Sequence, residues 1–302
     1  MGKVLCVTVI LLSLACDAGI TGEASGGRGE PPVLWPQPFR VAVTPYYPVE
    51  SMEEEFGGLV RYLQSELKVR VELSRAASYG EYLEQIRSNH FEVGILSPLA
   101  YVKAKSANPE LNLIGSKVVG GELAYEGYLV TRRGEEVDSL GALKGKSLGY
   151  VDRRSASGYL YPLAYFRGAG FEPDRFFGNV KFLGDHQAVL KALLKGEIDV
   201  AATFSGAFRS LANRAPGKAE KLEVIAKTGK IPYDGVCLSP GFSARQVKVL
   251  RTLFLNLGGE SKLGRDIMGA PGEMNGFVSS VDSHYNEVRR VLELVEGSAH
   301  QP

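Results

Sequence analysis

From Phe39 onward, short apolar runs of strand character alternate with longer segments whose apolar residues recur every three or four positions. Phe39 to Val43 reads as a buried strand ending at Thr44-Pro45-Tyr46-Tyr47-Pro48. Ser51 and Glu54 have capping-box spacing, and Phe56, Leu59, Val60, Leu63 and Leu67 follow at helical intervals. Val69, Val71 and Leu73 alternate with Arg70 and Glu72, which predicts a second strand. Ser78 with Glu81 caps a helix through Ile86, and Val93 to Ser97 is the next strand. This alternation predicts an α/β domain with a largely parallel sheet.

The pattern resumes beyond Tyr125. Gly127 to Arg132 and Ser147 to Val151 are strand-like, and a helix is predicted from Ser157 to Gly168. Strand Asn179 to Leu183, helix His186 to Lys195 stopped by Gly196, and strand Ile198 to Ala202 come next, with further strands at Leu222 to Ala226 and Gly235 to Leu238. The last third turns helical. Ser243 with Gln246 caps a run through Val247, Leu250, Leu253, Phe254 and Leu257, and Tyr285, Val288, Val291, Leu292 and Val295 share one helix face. No internal repeat is present.

Before Phe39 the pattern differs. Lys3 precedes the apolar run Val4 to Leu14, which is too short to span a bilayer as a mature helix and reads as an export leader over residues 1–16. Leu12-Ser13-Leu14-Ala15-Cys16 resembles a bacterial lipoprotein cleavage site, making Cys16 the candidate lipidation site; cleavage after Ala15 or Ala18 is the alternative. A single acylated cysteine would tether the protein to a membrane without a transmembrane helix. Residues 17–38, rich in Gly and then in Pro, have the composition of a tether. The expected location is periplasmic or extracytoplasmic.

Composition narrows the function. With 302 residues the chain is long enough for two domains, and its net charge of +1, from 35 basic and 34 acidic residues, argues against a nucleic-acid partner. Cys237 alone remains in the body, so no disulfide framework is expected, and it reads as a buried strand residue. No cysteine and histidine cluster suggests a structural metal, and nothing calls for a cofactor.

The chemistry gathers where strands end. Asp152-Arg153-Arg154-Ser155-Ala156-Ser157-Gly158-Tyr159 leaves one strand and enters a helix with small side chains and free N–H groups, the setting an oxyanion requires. The same residues also suit an ordinary helix cap. In open α/β sheets ligands bind beyond the carboxyl ends of strands, and Tyr79, Tyr101, Tyr125, His186 and Asp234 lie in such positions. Tyr79 and Tyr125 offer O–H donors and His186 a ring donor at a helix start, although packing and capping are the simpler roles for each. Asp234 reads as a turn residue; beside an anion, its carboxylate would accept a hydrogen bond from a protonated ligand oxygen and repel a fully ionised one.

Taken in order, these segments resemble the phosphonate, phosphite and phosphate substrate-binding proteins of bacterial ABC transporters, over roughly Phe39 to Tyr285. Asp152 to Tyr159 is close to that family's Asp-Pro-x-Ser-Thr-Ser-Gly-Tyr. Gly184-Asp185-His186 is similar to its Gly-x-His, and Gly196-Glu197-Ile198-Asp199-Val200 also matches. Ser78-Tyr79 looks like its Asp-Tyr, Ser97-Pro98-Leu99-Ala100-Tyr101 like its Gly-Pro-x-x-Tyr, and Ile231-Pro232-Tyr233-Asp234 like its Ile-Pro-x-Asp. The resemblance implies a two-lobed, hinged periplasmic-binding-protein fold of type II. It would have one lobe at 39–124 plus 235–295, the other at 127–230, and hinges near Tyr125 and Pro232. It implies capture of a small phosphorus oxyanion and delivery to an ABC permease by a monomer. Tyr79 and Tyr125 would be first-lobe donors, Ser155, Ala156 and Ser157 the oxyanion cradle, His186 a second-lobe donor and Asp234 the facing carboxylate; Tyr101 and Gly158 are further candidates.

Two departures matter. Ala156 replaces a threonine, and Gly206 stands where aminoalkylphosphonate binders carry a glutamate, which favours phosphite, phosphate or a simple alkylphosphonate. A sensor of the same fold, passing ligand occupancy to a receptor kinase, is the main alternative. Ser155 or Ser157 with His186 could be imagined as a nucleophile and base, but no Gly-x-Ser-x-Gly elbow is present, and the expectation is a binding protein and not an enzyme.

Overall fold

The computed structural model describes residues 32–74, 76–258, 261–268 and 274–298. The expected leader, the lipidation site at Cys16 and most of the expected tether lie outside the described residues.

The first six elements are β1 (Phe39–Val43), α1 (Val49–Leu67), β2 (Val71–Ser74), α2 (Tyr79–Arg87), β3 (Val93–Leu96) and α3 (Pro98–Ala107). Next come β4 (Asn112–Val119) and β5 (Ala124–Arg132), then β6 (Ser147–Tyr150), α4 (Tyr161–Gly168), α5 (Pro173–Phe176), β7 (Asn179–Phe182) and α6 (His186–Leu194). The chain continues through β8 (Val200–Phe204), α7 (Ser205–Arg214), α8 (Pro216–Ala219), β9 (Leu222–Pro232) and β10 (Gly235–Leu238). It closes with α9 (Ala244–Asn256), α10 (Lys262–Met268), β11 (Met274–Val278) and α11 (Asn286–Ser298).

These strands form two sheets, ordered β11-β4-β10-β3-β1-β2 and β7-β6-β8-β5-β9. The fold is the two-lobed α/β arrangement expected, but neither sheet is purely parallel. In the first, β2, β1 and β3 are parallel while β10 runs antiparallel to β3 and β4, and β11 antiparallel to β4. In the second, β7, β6 and β8 are parallel and β5 is antiparallel to β8 and β9. The cause is topological. The chain passes from the first sheet to the second between β4 and β5 and returns between β9 and β10, so the returning strands enter against the parallel set. The crossings run side by side: Ala124 pairs with Pro232, Tyr125 with Ile231, and the Lys117 N–H donates to the Asp234 carbonyl at 2.9 Å.

Helices cover both faces of each sheet. Because strand side chains alternate, Val41 and Val43 pack with Phe56, Leu59 and Phe254 of α1 and α9, while Ala42 joins Tyr82, Leu99 and Val288 of α2, α3 and α11. In the second sheet Val189, Leu190 and Leu193 of α6 pack against Val130 and Ala201, and Phe166 and Phe176 fill the other face against Leu148 and Val200. Burying each of these side chains contributes roughly 1.5–3 kcal/mol. The last helix also reaches the other lobe, where the Arg167 guanidinium donates to the Val295 carbonyl at 2.9 Å.

Local capping agrees with the sequence at Ser78 and Ser243, each of which accepts an N–H from the first turn of its helix, and Asp185, for which no cap was expected, does the same for α6. The capping box expected at Ser51 and Glu54 does not form. Helix α1 starts at Val49 with Pro48 at its cap position, leaving Ser51 inside the first turns.

Candidate functional site

A cavity of about 450 Å³ lies where loops at strand ends of both sheets meet, and Tyr79, Tyr125, Ser155, Ala156, Ser157, His186 and Asp234 all line it. These seven are spread over 156 positions of the chain, from 79 to 234, and become neighbours only through the two-sheet arrangement.

Ser155 is the first part of the cradle. Its Oγ accepts the Gly158 N–H at 3.0 Å, capping a single π-type turn over Ala156–Leu160 that leads into α4. Sequence alone reads one continuous helix here; the wider turn instead satisfies the Leu160 N–H on the Ser155 carbonyl at 3.1 Å. Gly158 does not line the cavity. Its role is close approach: a Cβ there would come within 2.5 Å of Val151. Arg153 lies outside the cavity, with its guanidinium over the Phe182 ring at 4.7 Å and donating to the Tyr159 hydroxyl at 2.8 Å.

Tyr79 opens α2 and Tyr125 sits on β5, and both are buried. Burial pushes both phenols above their ordinary range, so they remain O–H donors. Hydrogen bonds with Ser155, for Tyr79, and Ser157, for Tyr125, work in the opposite direction, and the charge of Asp234 adds to the rise. The backbone bond from the His186 N–H to the Tyr46 carbonyl at 3.4 Å links the two lobes.

His186 is the first residue of α6, held by the Asp185 cap. Its Nδ1 lies 3.1 Å from Thr203 Oγ1 and its ring stands edge-on to Phe204 at 4.7 Å. Burial depresses its pKa to about 3, so the ring is neutral at physiological pH. In the tautomer in which the Thr203 hydroxyl donates to Nδ1, the ring proton sits on Nε2 and makes it a neutral donor for an anion.

Asp234 occupies the turn between β9 and β10. Burial pushes its carboxyl up to about 6, against the pull of Lys117 and with a contribution from Glu55. Lys117, on β4, is the main residue the sequence reading missed. Its Nζ is 2.9 Å from Glu55 Oε1 and 3.1 Å from the Tyr46 hydroxyl. Burial opposes its charge, but Glu55 and Asp234 outweigh that and hold its pKa above the ordinary value. A lysine directly before the apolar pair Val118 and Val119 in β4 was the available signal. The Glu55 ion pair compensates Lys117, and Arg61, Arg209 and Arg214 add further guanidinium groups to the cavity lining.

Two further positions define the walls. Tyr101 is not at the cavity; its hydroxyl donates to Asp282 Oδ1 at 2.6 Å and its ring packs on Tyr285, a structural role. Gly206 does line the cavity, and a Cβ there would lie 2.4 Å from Phe204 Cε2. Among the described residues no group of His, Cys, Asp and Glu could hold a metal ion.

Residues 41–285 match the family described as the periplasmic substrate-binding protein of the phosphonate ABC transporter. The chain belongs to this family. It is accordingly an extracytoplasmic substrate-binding component of a transport system, and its relatives are transport proteins. One, the phosphate-import protein PhnD of Mycolicibacterium smegmatis, is 22% identical over 256 residues, covering 82% of this chain and 78% of the relative. Among solved structures, a binding-protein component of an ABC phosphonate transporter from Pseudomonas aeruginosa superposes with a TM-score of 0.77 at 20% identity, covering 85% of this chain and 86% of its own. PhnD1 from Prochlorococcus marinus, in complex with methylphosphonate, gives 0.76 at 18% identity, covering 85% and 98%.

Proposed function

We propose that this family member captures a small phosphorus oxyanion, phosphite, phosphate or a simple alkylphosphonate, between its lobes and delivers it to an ABC permease. The lobes are residues 39–124 plus 235–295 and residues 127–230, rotating about the paired crossings near Tyr125 and Pro232. The observation that carries the reading is the cavity that collects Tyr79, Tyr125, Ser155, Ser157 and His186 as neutral donors together with the Asp234 carboxylate. Tyrosine, serine and imidazole donors, with the main-chain N–H groups of Ala156 and Ser157, hold the ionised oxygens. Asp234 accepts the remaining P–OH proton, which selects a partly protonated ligand over a fully ionised one. Ala156 keeps its main-chain N–H though it lacks a hydroxyl. At Gly206 the Phe204 ring fills the space a longer side chain would need, which disfavours a ligand carrying an amine that requires a counter-charge there.

Calorimetric titration with phosphite, phosphate, methylphosphonate and aminoethylphosphonate tests this. Binding of at least one of the first three is expected, with the last the weakest, and a Ser155→Ala/Ser157→Ala double variant should lose affinity. No heat with any of the four, or undiminished binding by the double variant, would overturn the assignment. The affinity should fall as pH rises past the ligand's second ionisation, which for phosphate monoesters lies near about 6.

A further inference from the structure

Ser97 ends β3 and stands at the cap position of the ten-residue helix α3, yet its hydroxyl makes no capping bond. It is 8% exposed and lines the cavity, and its Oγ has no hydrogen-bond partner among the described residues. Its main-chain N–H is already used, donating to Thr44 Oγ1 at 2.8 Å, which fixes the backbone while leaving the hydroxyl unengaged. A buried hydroxyl without a partner is costly, and a helix N-terminus beside it favours negative charge. Cap-position serines elsewhere in this chain, at Ser78 and Ser243, do accept the N–H of their first turn. Among the three described α-helices with a serine at the cap position, Ser97 is therefore the one whose hydroxyl makes no capping bond, and it belongs to the cavity lining.

We propose that Ser97 is a further ligand-binding residue, donating its hydroxyl from the first lobe to an oxygen on the ligand's phosphorus at the N-terminus of α3. The inference rests on the phosphorus-oxyanion reading of the same cavity and sharpens it. Ala156 brings no hydroxyl from the second lobe, and Ser97 supplies one from the opposite side. The number of donors around the oxyanion is restored, and its grip is shared more evenly between the lobes. A ligand held from both sides stabilises the closed arrangement, because neither lobe alone completes the set.

The test is calorimetric titration of the wild-type protein and Ser97→Ala with phosphate, phosphite and methylphosphonate, alongside melting curves without ligand. The affinity of Ser97→Ala for whichever of these the wild type binds should be about tenfold weaker, the size expected for one lost hydrogen bond to a charged group. The ligand-free melting temperature should be unchanged or higher, since Oγ has no protein partner to lose. Ser97→Gly should show the same loss of affinity. Wild-type affinity in both variants would overturn this inference and leave the functional reading standing. A fall in ligand-free melting temperature equal to that of the ligand-bound protein would assign the hydroxyl a structural role and also overturn it. Failure of the wild type to bind any of the three would overturn the functional reading, and this inference with it.

Discussion

Asp234 and His186 share a cavity and are displaced by the same cause, burial, in directions that oppose each other in their effect on stability. Asp234 is raised from 3.8 to about 6, so between those values the folded protein holds more of its proton than the unfolded chain does. Its contribution to stability is therefore largest in acid and falls as pH rises through that window, by up to about 3 kcal/mol. His186 is lowered to about 3, so its contribution is fully present above 6.5 and is lost as pH falls towards 3. In ligand-free protein, Asp234→Asn should gain stability relative to wild type when urea denaturation is compared at pH 4.5 and pH 7.5. An equal difference at both values would contradict the raised carboxyl. Gly206→Ala should lose about 1–3 kcal/mol in the same measurement, because its Cβ meets a Phe204 ring already wedged among Tyr47, Tyr125 and His186. An unchanged denaturation midpoint would mean that the ring swings aside. Both residues could be marked in the sequence as turn or gap positions. Their surroundings could not, since burial is set by other segments.

At the scale of elements, the Ser155 cap with its π-type turn is the part where sequence and structure agree on location and differ on geometry. Small residues after β6 mark a place where main-chain N–H groups are presented, and the structure has Ser155 capping there. The turn's width is set by close packing of Gly158 on Val151, which no periodicity encodes. Gly158→Ala should therefore destabilise by about 1–3 kcal/mol and weaken phosphite or phosphate binding, although Gly158 itself does not line the cavity. Retained affinity in that variant, measured by titration, would show that the turn can widen without moving Ser155. The Ser51 capping box failed for a comparable reason: a capping pattern competes with neighbouring starts, and Pro48 begins α1 earlier. The caps at Ser78, Asp185 and Ser243 formed because each sits directly at the break between an extended segment and its helix.

For the whole molecule, the cavity lies where loops of the two sheets meet, with Tyr79 and Ser155 both in its lining. A ligand that joins both should stabilise the closed protein against unfolding. At a free concentration of 100 times Kd the gain is about 2.7 kcal/mol, which corresponds to a rise of roughly 4–5 °C in Tm for a chain of this size. Differential scanning calorimetry with phosphite, phosphate and methylphosphonate checks it, and no rise with a ligand that binds in titration would argue that capture does not couple the lobes. The side-by-side crossings at Tyr125 and Pro232 give a short connection about which such a closure can turn, while the α11 contact to Arg167 is a third link that closure must accommodate.

The sequence by itself determined the α/β alternation, the helix caps at Ser78 and Ser243, the family and the seven residues that meet at the cavity. Each of these is written locally, in periodicity or in short ordered motifs. Only the tertiary structure decided what those residues experience. Lys117 meets Glu55 across 62 positions, Tyr101 is turned away to Asp282 across 181, and the Ser97 hydroxyl is left without a partner among the described residues. The reason is that charge compensation, burial and unpaired hydrogen-bonding groups depend on everything packed around an atom. Those neighbours come from both lobes, at sequence distances over which local pattern carries no information.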